Sequence, residues 1–466
     1  MLEDNIILRT DSYKAGHYLQ YPPGTDSMFS YIESRGGKYD KTVFFGLQYI
    51  LKAYLSKPVT VEMVKEAAEF FKAHGEPFNY EGWMYVAKDL KGKLPIRIRA
   101  LPEGTIITTH NMMMSVESTD PKAFWVVSYL ETMLLRIWYP ITVATQSHSI
   151  RNTISFFLKD TSDLPLCDEI AFKLHDFGAR GVSSAESAGI GGLAHLVNFM
   201  GSDTVEACVF GRKYYNTPMA AFSIPASEHS SITSWGKNHE LDAFRNMLTQ
   251  FAKPGALVAC VSDSYDLWNA CEKLWGEELK AEIISSGATL IIRPDSGDPA
   301  TVVLKTLQIL DRKFGSVVNG KGYKVLNNVR VIQGDGINQD SIKEILTLAK
   351  NNGFSATNIA FGMGGALLQQ VNRDTQKFAM KCSSVTVNGK FVDVYKDPVT
   401  DNGKRSKPGR LDVVSRGNGY ETVRLENTGV NSIEADQSAM RTVYENGELI
   451  IDDSMETIRN LVNSGG

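Results

Sequence analysis

From about residue 165 to about residue 370 the chain repeats one local pattern, a short apolar run that stops at a polar or glycine-rich turn. The runs are FKLHDFG (172–178), AFSIPASEH (221–229), LVACVSDSYD (257–266), LIIRPDSGD (290–298), VRVIQGDG (329–336) and IAFGMGG (359–365). Each has the length of a strand buried on both faces, as in parallel sheets. Helical spacing lies between several of them. Over 338–353, Ile342, Ile345, Leu346 and Ala349 share a face, with Asp340 near the start and Gly353 placed to end the helix. Over 298–314, Val303, Leu307 and Leu310 form a similar stripe. Strand, polar turn and helix in repetition predict an α/β domain over 165–370, a central β/α barrel-like body or an open α/β sheet, and in either the functional groups gather just beyond the strands.

The two flanks, 1–164 and 371–466, read as antiparallel β with some helix. IRIRALPEGTII (96–107) alternates around a Pro-Glu-Gly turn, and SVTVNGKFVDVY (384–395) and RTVYENGELIID (441–452) each carry Asn-Gly between alternating segments. All three predict hairpins. Their shared character predicts one β-rich discontinuous domain formed by both flanks. The most apolar segment, AFWVVSYLETMLLRIWY (123–139), carries Glu131 and Arg136, is short for a membrane span, and reads as a buried helix.

Composition removes several function classes. A net charge of −4 argues against general affinity for nucleic acid, while leaving room for a local anion site. The five cysteines form no C-x-x-C pair, which fits reduced thiols and a cytoplasmic setting. The start, MLEDNIILRT, lacks the basic and apolar regions of a secretory signal. There is no Walker A or G-x-G-x-x-G pattern, and the histidines show no metal spacing.

The strand-end residues are His175, Asp176, Arg180, Glu228, His229, Asp263, Arg293, Asp295 and Asp335, with Gly364 and Gly365. A single polar residue there reads as a turn former; so many together predict one convergent site. Asp295 and Asp335 suit ribose hydroxyls, because a carboxylate only accepts. Gly364 and Gly365 allow backbone N–H groups to approach a phosphate, best where a helix begins at ALLQQV, although GMGG alone reads as a tight turn. His229 can act as base or phosphoryl acceptor with Glu228 orienting it, against the ordinary reading of a structural histidine. The run KDPVTDNGKRSKPGR supplies Lys396, Lys404, Arg405, Lys407 and Arg410, with Arg373 and Lys381 upstream. A solvated loop and a grip on pyrophosphate explain it equally well.

TDSYKAGHYLQYPPGT (10–25), WYPITVATQS (138–147), KLHDFGARGVSS (173–184), PASEHSSITSWG (225–236), VSDSYDLWNACEKLWGEEL (261–279), LIIRPDSGDP (290–299), RVIQGDG (330–336) and YKDPVTDNGKRSKPGR (395–410) together resemble the nicotinamide phosphoribosyltransferases, of the type II phosphoribosyltransferase family. The likeness runs in order over nearly the whole chain. It implies synthesis of nicotinamide mononucleotide from nicotinamide and 5-phosphoribosyl 1-pyrophosphate, coupled to ATP through a phosphohistidine, with Mg²⁺ on the pyrophosphate, in NAD salvage. It also implies a homodimer with shared active sites. The pyridine ring would stack between Phe177 and Tyr13 of the other subunit, beside Asp11, with Asp203 and Arg293 on the carboxamide. Asp295 and Asp335 would hold ribose, and Gly334, Gly364 and Gly365 the 5′-phosphate. Arg35, Arg373, Lys381, Lys396 and Lys404 from the partner, with Arg180, would bind phosphate or pyrophosphate. His229 would be phosphorylated, supported by Glu228 and Asp263. Three residues depart from the family pattern: Ala379 in place of a phosphate-binding serine, Ala179 in place of an aromatic residue, and Ser227 at a small apolar position.

Three other readings compete. A nicotinate phosphoribosyltransferase would share the fold, and Asp203 is the discriminating residue, since its carboxylate accepts from an amide and repels an acid. Asp203, standing before Thr204 and an apolar run, could instead simply cap the next element. An aldolase- or isomerase-like barrel would need a lysine or an acid/base pair at a strand end, and the runs end in no lysine. A non-catalytic binding protein would not need so many polar groups at strand ends.

Overall fold

A computed structural model of the chain describes residues 4–400, 405–417, 419–425 and 438–465. The chain divides into two units, Met1–Thr145 with Gly211–Pro218 and Asn372–Gly466, and Gln146–Phe210 with Met219–Val371.

The second unit holds six parallel strands, β1 (Leu174–Asp176), β2 (Gly201–Ser202), β3 (Leu257–Val261), β4 (Thr289–Arg293), β5 (Val329–Gln333) and β6 (Ile359–Met363), in the order β2-β1-β6-β5-β4-β3. Five of the six apolar runs form these strands. The sixth, AFSIPASEH, does not. It makes one parallel bridge from Phe222 to Gly201 at one edge of the sheet and another from Ala226 to Ala259 at the opposite edge. The segment thus links β2 to β3 and curls the sheet round on itself. Pro225, which has no N–H to donate, lies between the two bridges. The two-residue β2 carries too little apolar pattern to be read from sequence.

Side chains alternate between faces along each strand. Val258, Cys260, Leu290 and Ile292 are buried beneath the covering helices, whereas Leu257, Ala259, Thr289, Ile291 and Arg293 line a cavity inside the sheet. Both faces are covered, so the runs read as continuously apolar. The helix Pro299–Phe314 starts on the Asp298 side chain, which accepts from Thr301 N, and buries Val303, Leu307 and Leu310. Gln339–Asn351 starts on Asn338 and buries Ile342, Ile345, Leu346 and Ala349, with Gly353 at φ 79° just beyond its end.

The first unit is built on a seven-stranded antiparallel sheet that interleaves the flanks. Thr25–Ser34 pairs with Phe378–Val387, and Ile96–Ala100 pairs with Arg441–Glu445. The expected second, β-rich discontinuous domain is therefore present. Both Asn-Gly hairpins form: Asn388 and Gly389 have φ of 51° and 74°, Asn446 and Gly447 of 48° and 86°, the left-handed pair that a two-residue hairpin turn needs.

Two expectations fail in this unit. The run 96–107 is not a hairpin, because Ile106–Thr108 pairs with Lys41–Val43 in a separate sheet. Between the two strands the carboxylate of Glu103 is buried, accepting from Gly46 N (3.0 Å), Gln48 N (2.6 Å) and the Tyr215 hydroxyl (2.9 Å). Those three bonds hold the connection open. The segment 123–139 is not one helix either. It forms Val126–Tyr129 and Glu131–Leu135, broken at Leu130 (ψ −4°), before the helix Trp138–Thr161 begins. Pro140 lies in the first turn of that helix, where its missing N–H has no carbonyl partner to lose. Among the described residues no helix is long and apolar enough to cross a membrane.

Candidate active site

The inward parity of the barrel strands places the first group of site residues. His175 and Phe177, at and just after the end of β1, point inward with Arg293 at the end of β4, and all three line a cavity of about 490 Å³. Asp203, one residue beyond β2, lines it too, as does Ser223 of the linking segment. Ala226, Ala259 and Ala360 contribute small side chains to the wall and keep it open. Phe177 packs against the buried cluster of Ala259, Ile291 and Ile332. Around Phe177 the cavity combines an aromatic ring and apolar wall with the carboxylate of Asp203 and the guanidinium of Arg293. Among the described residues, the buried Nε of Arg293 has no hydrogen-bond partner, so the slot holds an unused donor.

Asp203 does not behave as a helix cap. Its carboxylate accepts from the Ser223 hydroxyl, its own N–H donates to Asp176 O (3.0 Å), and it is Ser202 Oγ that accepts from Thr204 N (3.0 Å). Burial lowers the pKa of His175, with the Asp203 charge opposing. Asp176 faces outward and is fully buried; burial raises its carboxyl from 3.8 to about 6, although Gly178 N–H donates to it at 2.7 Å.

The second group surrounds His229. Its Nδ1 lies 3.2 Å from Ser264 Oγ, and its Nε2 lies 3.6 Å from Asp263 Oδ1 and 3.4 Å from Asp295 Oδ2. The Asp263 side chain is 5% exposed and is held by Asp295 N–H (3.0 Å) and the Ser296 hydroxyl. Its Oδ1 has no hydrogen-bond partner among the described residues. A buried carboxylate oxygen therefore faces a half-exposed imidazole. Glu228 does not take the orienting role expected for it. Its carboxylate accepts from Ser230, and the carboxylates within 4 Å of the imidazole are those of Asp263 and Asp295. Glu228 precedes the short helix His229–Thr233, so its side chain turns toward that helix's first residues.

The third group closes around Gly334. A Cβ built there would lie 3.6 Å from the Phe177 ring and 3.7 Å from Asp295 Oδ1, so both groups border this glycine. Asp335 follows it and is exposed. Gly364 lies beside Phe177 O, and the turn Ala179–Gly181, with exposed Arg180, abuts Gly365. The helix expected at ALLQQV is a single turn, Gly365–Leu368, so the backbone N–H groups rather than a long dipole are what it offers a phosphate.

The remaining residues lie in the first unit. Tyr13 is 55% exposed and packs edge-on against His17; Asp11 is exposed and bonded to Thr132 (2.8 Å). Arg35 ends the strand Thr25–Ser34, 3.5 Å from Glu33, and its Nε and Nη2 are buried without hydrogen-bond partners among the described residues. Lys381 lies on the neighbouring strand opposite Tyr31. Burial lowers its ammonium, with Glu131 opposing and Arg35, Lys396 and Lys14 adding to the effect. These cations form one cluster. Arg373 is exposed and pairs with Asp374 (3.3 Å), and Lys404 lies outside the described residues.

Some participants escaped the sequence reading. Ser223 and Ser264 are ordinary serines until the fold sets them against Asp203 and His229. Lys173, which precedes β1, lines the far end of the cavity with Glu169 and Arg330. Desolvation lowers its ammonium to about 8, and it donates to Thr357 O (2.9 Å). Among the described residues no group of three or more His, Cys, Asp or Glu is placed to hold a metal ion.

Comparison with known proteins agrees with this architecture. Residues 172–448 match the model of the nicotinate phosphoribosyltransferase family, and residues 5–98 match that of the nicotinamide phosphoribosyltransferase N-terminal domain. A nicotinamide phosphoribosyltransferase of Xanthomonas campestris is 58% identical over 98% of this chain and 97% of its own length. Another from Acinetobacter baylyi is 30% identical over 98% and 96%. Among solved structures, human nicotinic acid phosphoribosyltransferase superposes with a TM-score of 0.62 at 17% identity, covering 98% of this chain and 93% of that one. A nicotinate-nucleotide pyrophosphorylase of Pyrococcus furiosus gives 0.61 at 18% identity, covering 99% and 96%. These two support the fold alone. With the family model spanning more than half of the chain and the relatives spanning nearly all of it, the chain belongs to the nicotinate and nicotinamide phosphoribosyltransferase family of enzymes.

Proposed function

We propose that the enzyme condenses nicotinamide with 5-phosphoribosyl 1-pyrophosphate to give nicotinamide mononucleotide and pyrophosphate, returning nicotinamide to NAD. The observation that carries this reading is that Asp203 and Arg293 both line the cavity that also holds the Phe177 ring. A carboxamide presents one acceptor and one donor; the guanidinium and the carboxylate present the reverse. Nicotinate would set a second carboxylate near Asp203, and like-charge juxtaposition costs on the order of several kcal/mol. The relative that is 58% identical bears the nicotinamide-specific name.

In the reaction the pyridine nitrogen attacks C1′ as the C1′–oxygen bond to pyrophosphate lengthens, and pyrophosphate leaves with the electron pair. Holding the ring in the slot makes the encounter effectively unimolecular. Asp295 and Asp335 accept from the ribose hydroxyls, and Gly334, Gly364 and Gly365 leave backbone room for the 5′-phosphate. Arg35, Lys381 and Lys396 stabilise the charge that develops on pyrophosphate, with Arg180, Arg373 and Lys404 as further candidates. Mg²⁺ bound with the substrate would neutralise charge on its pyrophosphate. His229, faced by Asp263, is the group we assign to accept a phosphoryl from ATP, and hydrolysis of the phosphohistidine drives the cycle.

The exposed Tyr13 and the cationic cluster support a homodimer in which the first unit of one subunit completes the partner's cavity, and the five free cysteines fit a cytoplasmic setting. Exposed apolar side chains near the cavity residue Asp203, namely Val205 (69%), Val209 (55%) and Phe222 (50%), are the kind of surface a partner covers.

The test is a product assay with nicotinamide or nicotinate, 5-phosphoribosyl 1-pyrophosphate and Mg²⁺, on the wild type and on Asp203→Ser. The wild type should prefer nicotinamide in kcat/KM. The variant should narrow that preference by gaining nicotinate use and losing nicotinamide use. A folded variant with an unchanged ratio would overturn the assignment.

A further inference from the structure

Gly362 is the fourth residue of β6 and pairs with His175 of β1. It shares the inner face of the barrel with Ala360, a cavity-lining residue. Its backbone makes no demand for glycine, since it lies inside a regular strand without a positive φ. The demand comes from the neighbouring chain. A Cβ at Gly362 would lie 1.9 Å from Cε2 of Phe177, 2.1 Å from Cδ2 and 2.8 Å from Cζ. The ring thus lies directly on the Gly362 backbone. The same Cδ2–Cε2 edge also borders Gly334, where a Cβ would stay at an ordinary 3.6 Å.

We infer that Gly362 is a positioning residue for the reaction: the missing side chain is the berth that seats Phe177 at the height where the ring forms one wall of the pyridine slot. The inference rests on the proposed stacking of the pyridine on Phe177. Any side chain at 362 has to push the ring by about 1.5 Å to reach an ordinary contact of 3.4 Å. The ring can yield only toward Ile291 and Ile332, against which it already packs, or into the open slot. Either movement misplaces the surface that orients the substrate. A displacement of about 1 Å in such a surface lowers rates by about 100-fold.

The test is a double-mutant cycle on the full chain, with KM measured separately for nicotinamide and for 5-phosphoribosyl 1-pyrophosphate. Gly362→Ala should raise the KM for nicotinamide by about tenfold or more and lower kcat/KM by about 100-fold. The KM for the phosphoribosyl substrate should change little, a split that general loosening of the fold would not produce. Phe177→Ala should also raise the KM for nicotinamide. The double variant should match Phe177→Ala alone, because without the ring the methyl group has nothing to displace.

Unchanged nicotinamide KM in Gly362→Ala, or full additivity in the double variant, overturns the role of Gly362 while leaving the stacking reading intact. Unchanged nicotinamide KM in Phe177→Ala overturns the stacking reading, and the role of Gly362 falls with it. If Gly362→Ala fails to fold, the double variant decides: relief of the clash requires it to fold, and a double variant that also fails overturns the inference.

Discussion

The two units carry opposite chemistry. At the strand ends of the barrel unit the polar groups are mostly acceptors and an imidazole: Asp203 on Ser223, and His229 between Ser264, Asp263 and Asp295. On the flanking sheet they are cations, with Arg35 beside Glu33 and Lys381 affected by Arg35, Lys396 and Lys14. A glycosyl transfer with a pyrophosphate leaving group needs both, acceptors for ribose and amide and cations for the departing charge. The acceptors inherit their positions from parallel strand ends, whereas the cations are gathered by pairing of chain segments about 350 residues apart, such as Tyr31 with Lys381.

The largest expected effect tests whether the two sets act on the same substrate. Arg35→Ala on the flanking sheet should lower kcat/KM by about 10²- to 10³-fold, the usual cost of losing a donor to developing charge, and Arg293→Ala in the barrel by about 10- to 100-fold, the cost of losing a charged hydrogen bond to the carboxamide. When the two impaired variants are mixed and allowed to exchange subunits, activity should return, because one site of the hybrid dimer has both wild-type groups. No recovery in dimers shown to be hybrid would break the proposed division.

Each unit also holds a buried carboxylate. Glu103 on the flanking side accepts from Gly46 N, Gln48 N and the Tyr215 hydroxyl, and Asp176 in the barrel accepts from Gly178 N. With its pKa raised from 3.8 to about 6, Asp176 binds its proton more tightly in the folded state than in the unfolded one. Its contribution is therefore full below about pH 3.8 and is lost as pH rises through about 6. The loss is on the order of 3 kcal/mol, because each pH interval of one between the unfolded and folded values is worth about 1.4 kcal/mol. Thermal unfolding of Asp176→Asn at about pH 4 and about pH 7 should show a smaller fall in Tm with pH than the wild type. Parallel pH dependences would show that burial of Asp176 carries no such penalty.

The smallest effect is the most local. His229→Ala should eliminate any acid-labile phosphoenzyme and the ATP-dependent part of the rate, leaving ATP-independent synthesis on the order of tenfold slower. Retained phosphoenzyme, with ATP hydrolysed in step with product, would place the phosphoryl acceptor elsewhere.

Much of this architecture was legible in the sequence because the relevant forces are local. Both Asn-Gly turns demand a left-handed pair, and the stripes of Pro299–Phe314 and Gln339–Asn351 bury the faces their spacing predicts. Reading failed where a partner distant in sequence decided the outcome. Residues 96–107 have a hairpin's alternation, but Glu103 is held by Gly46, Gln48 and Tyr215. The run 221–229 has a strand's apolarity, yet its two bridges go to opposite edges of the sheet. For the site, the strand-end identities were legible and their mutual contacts were not. Glu228 is adjacent to His229 in sequence, but the facing carboxylates come from Asp263 and Asp295.

The sequence by itself determined the inventory: five of the six parallel strands, the residues that terminate them, and that acceptors, an imidazole, glycines and a basic run are all present. These follow from periodicity and residue chemistry, which act over a few positions. Only the tertiary structure decided which of them touch. The seat of Phe177 on Gly362, the bond from Ser223 to Asp203 and the approach of Asp263 to His229 each depend on the angle and register at which separate strands meet. That geometry is set by packing of the whole sheet, in which contacts distant in sequence are made together or not at all.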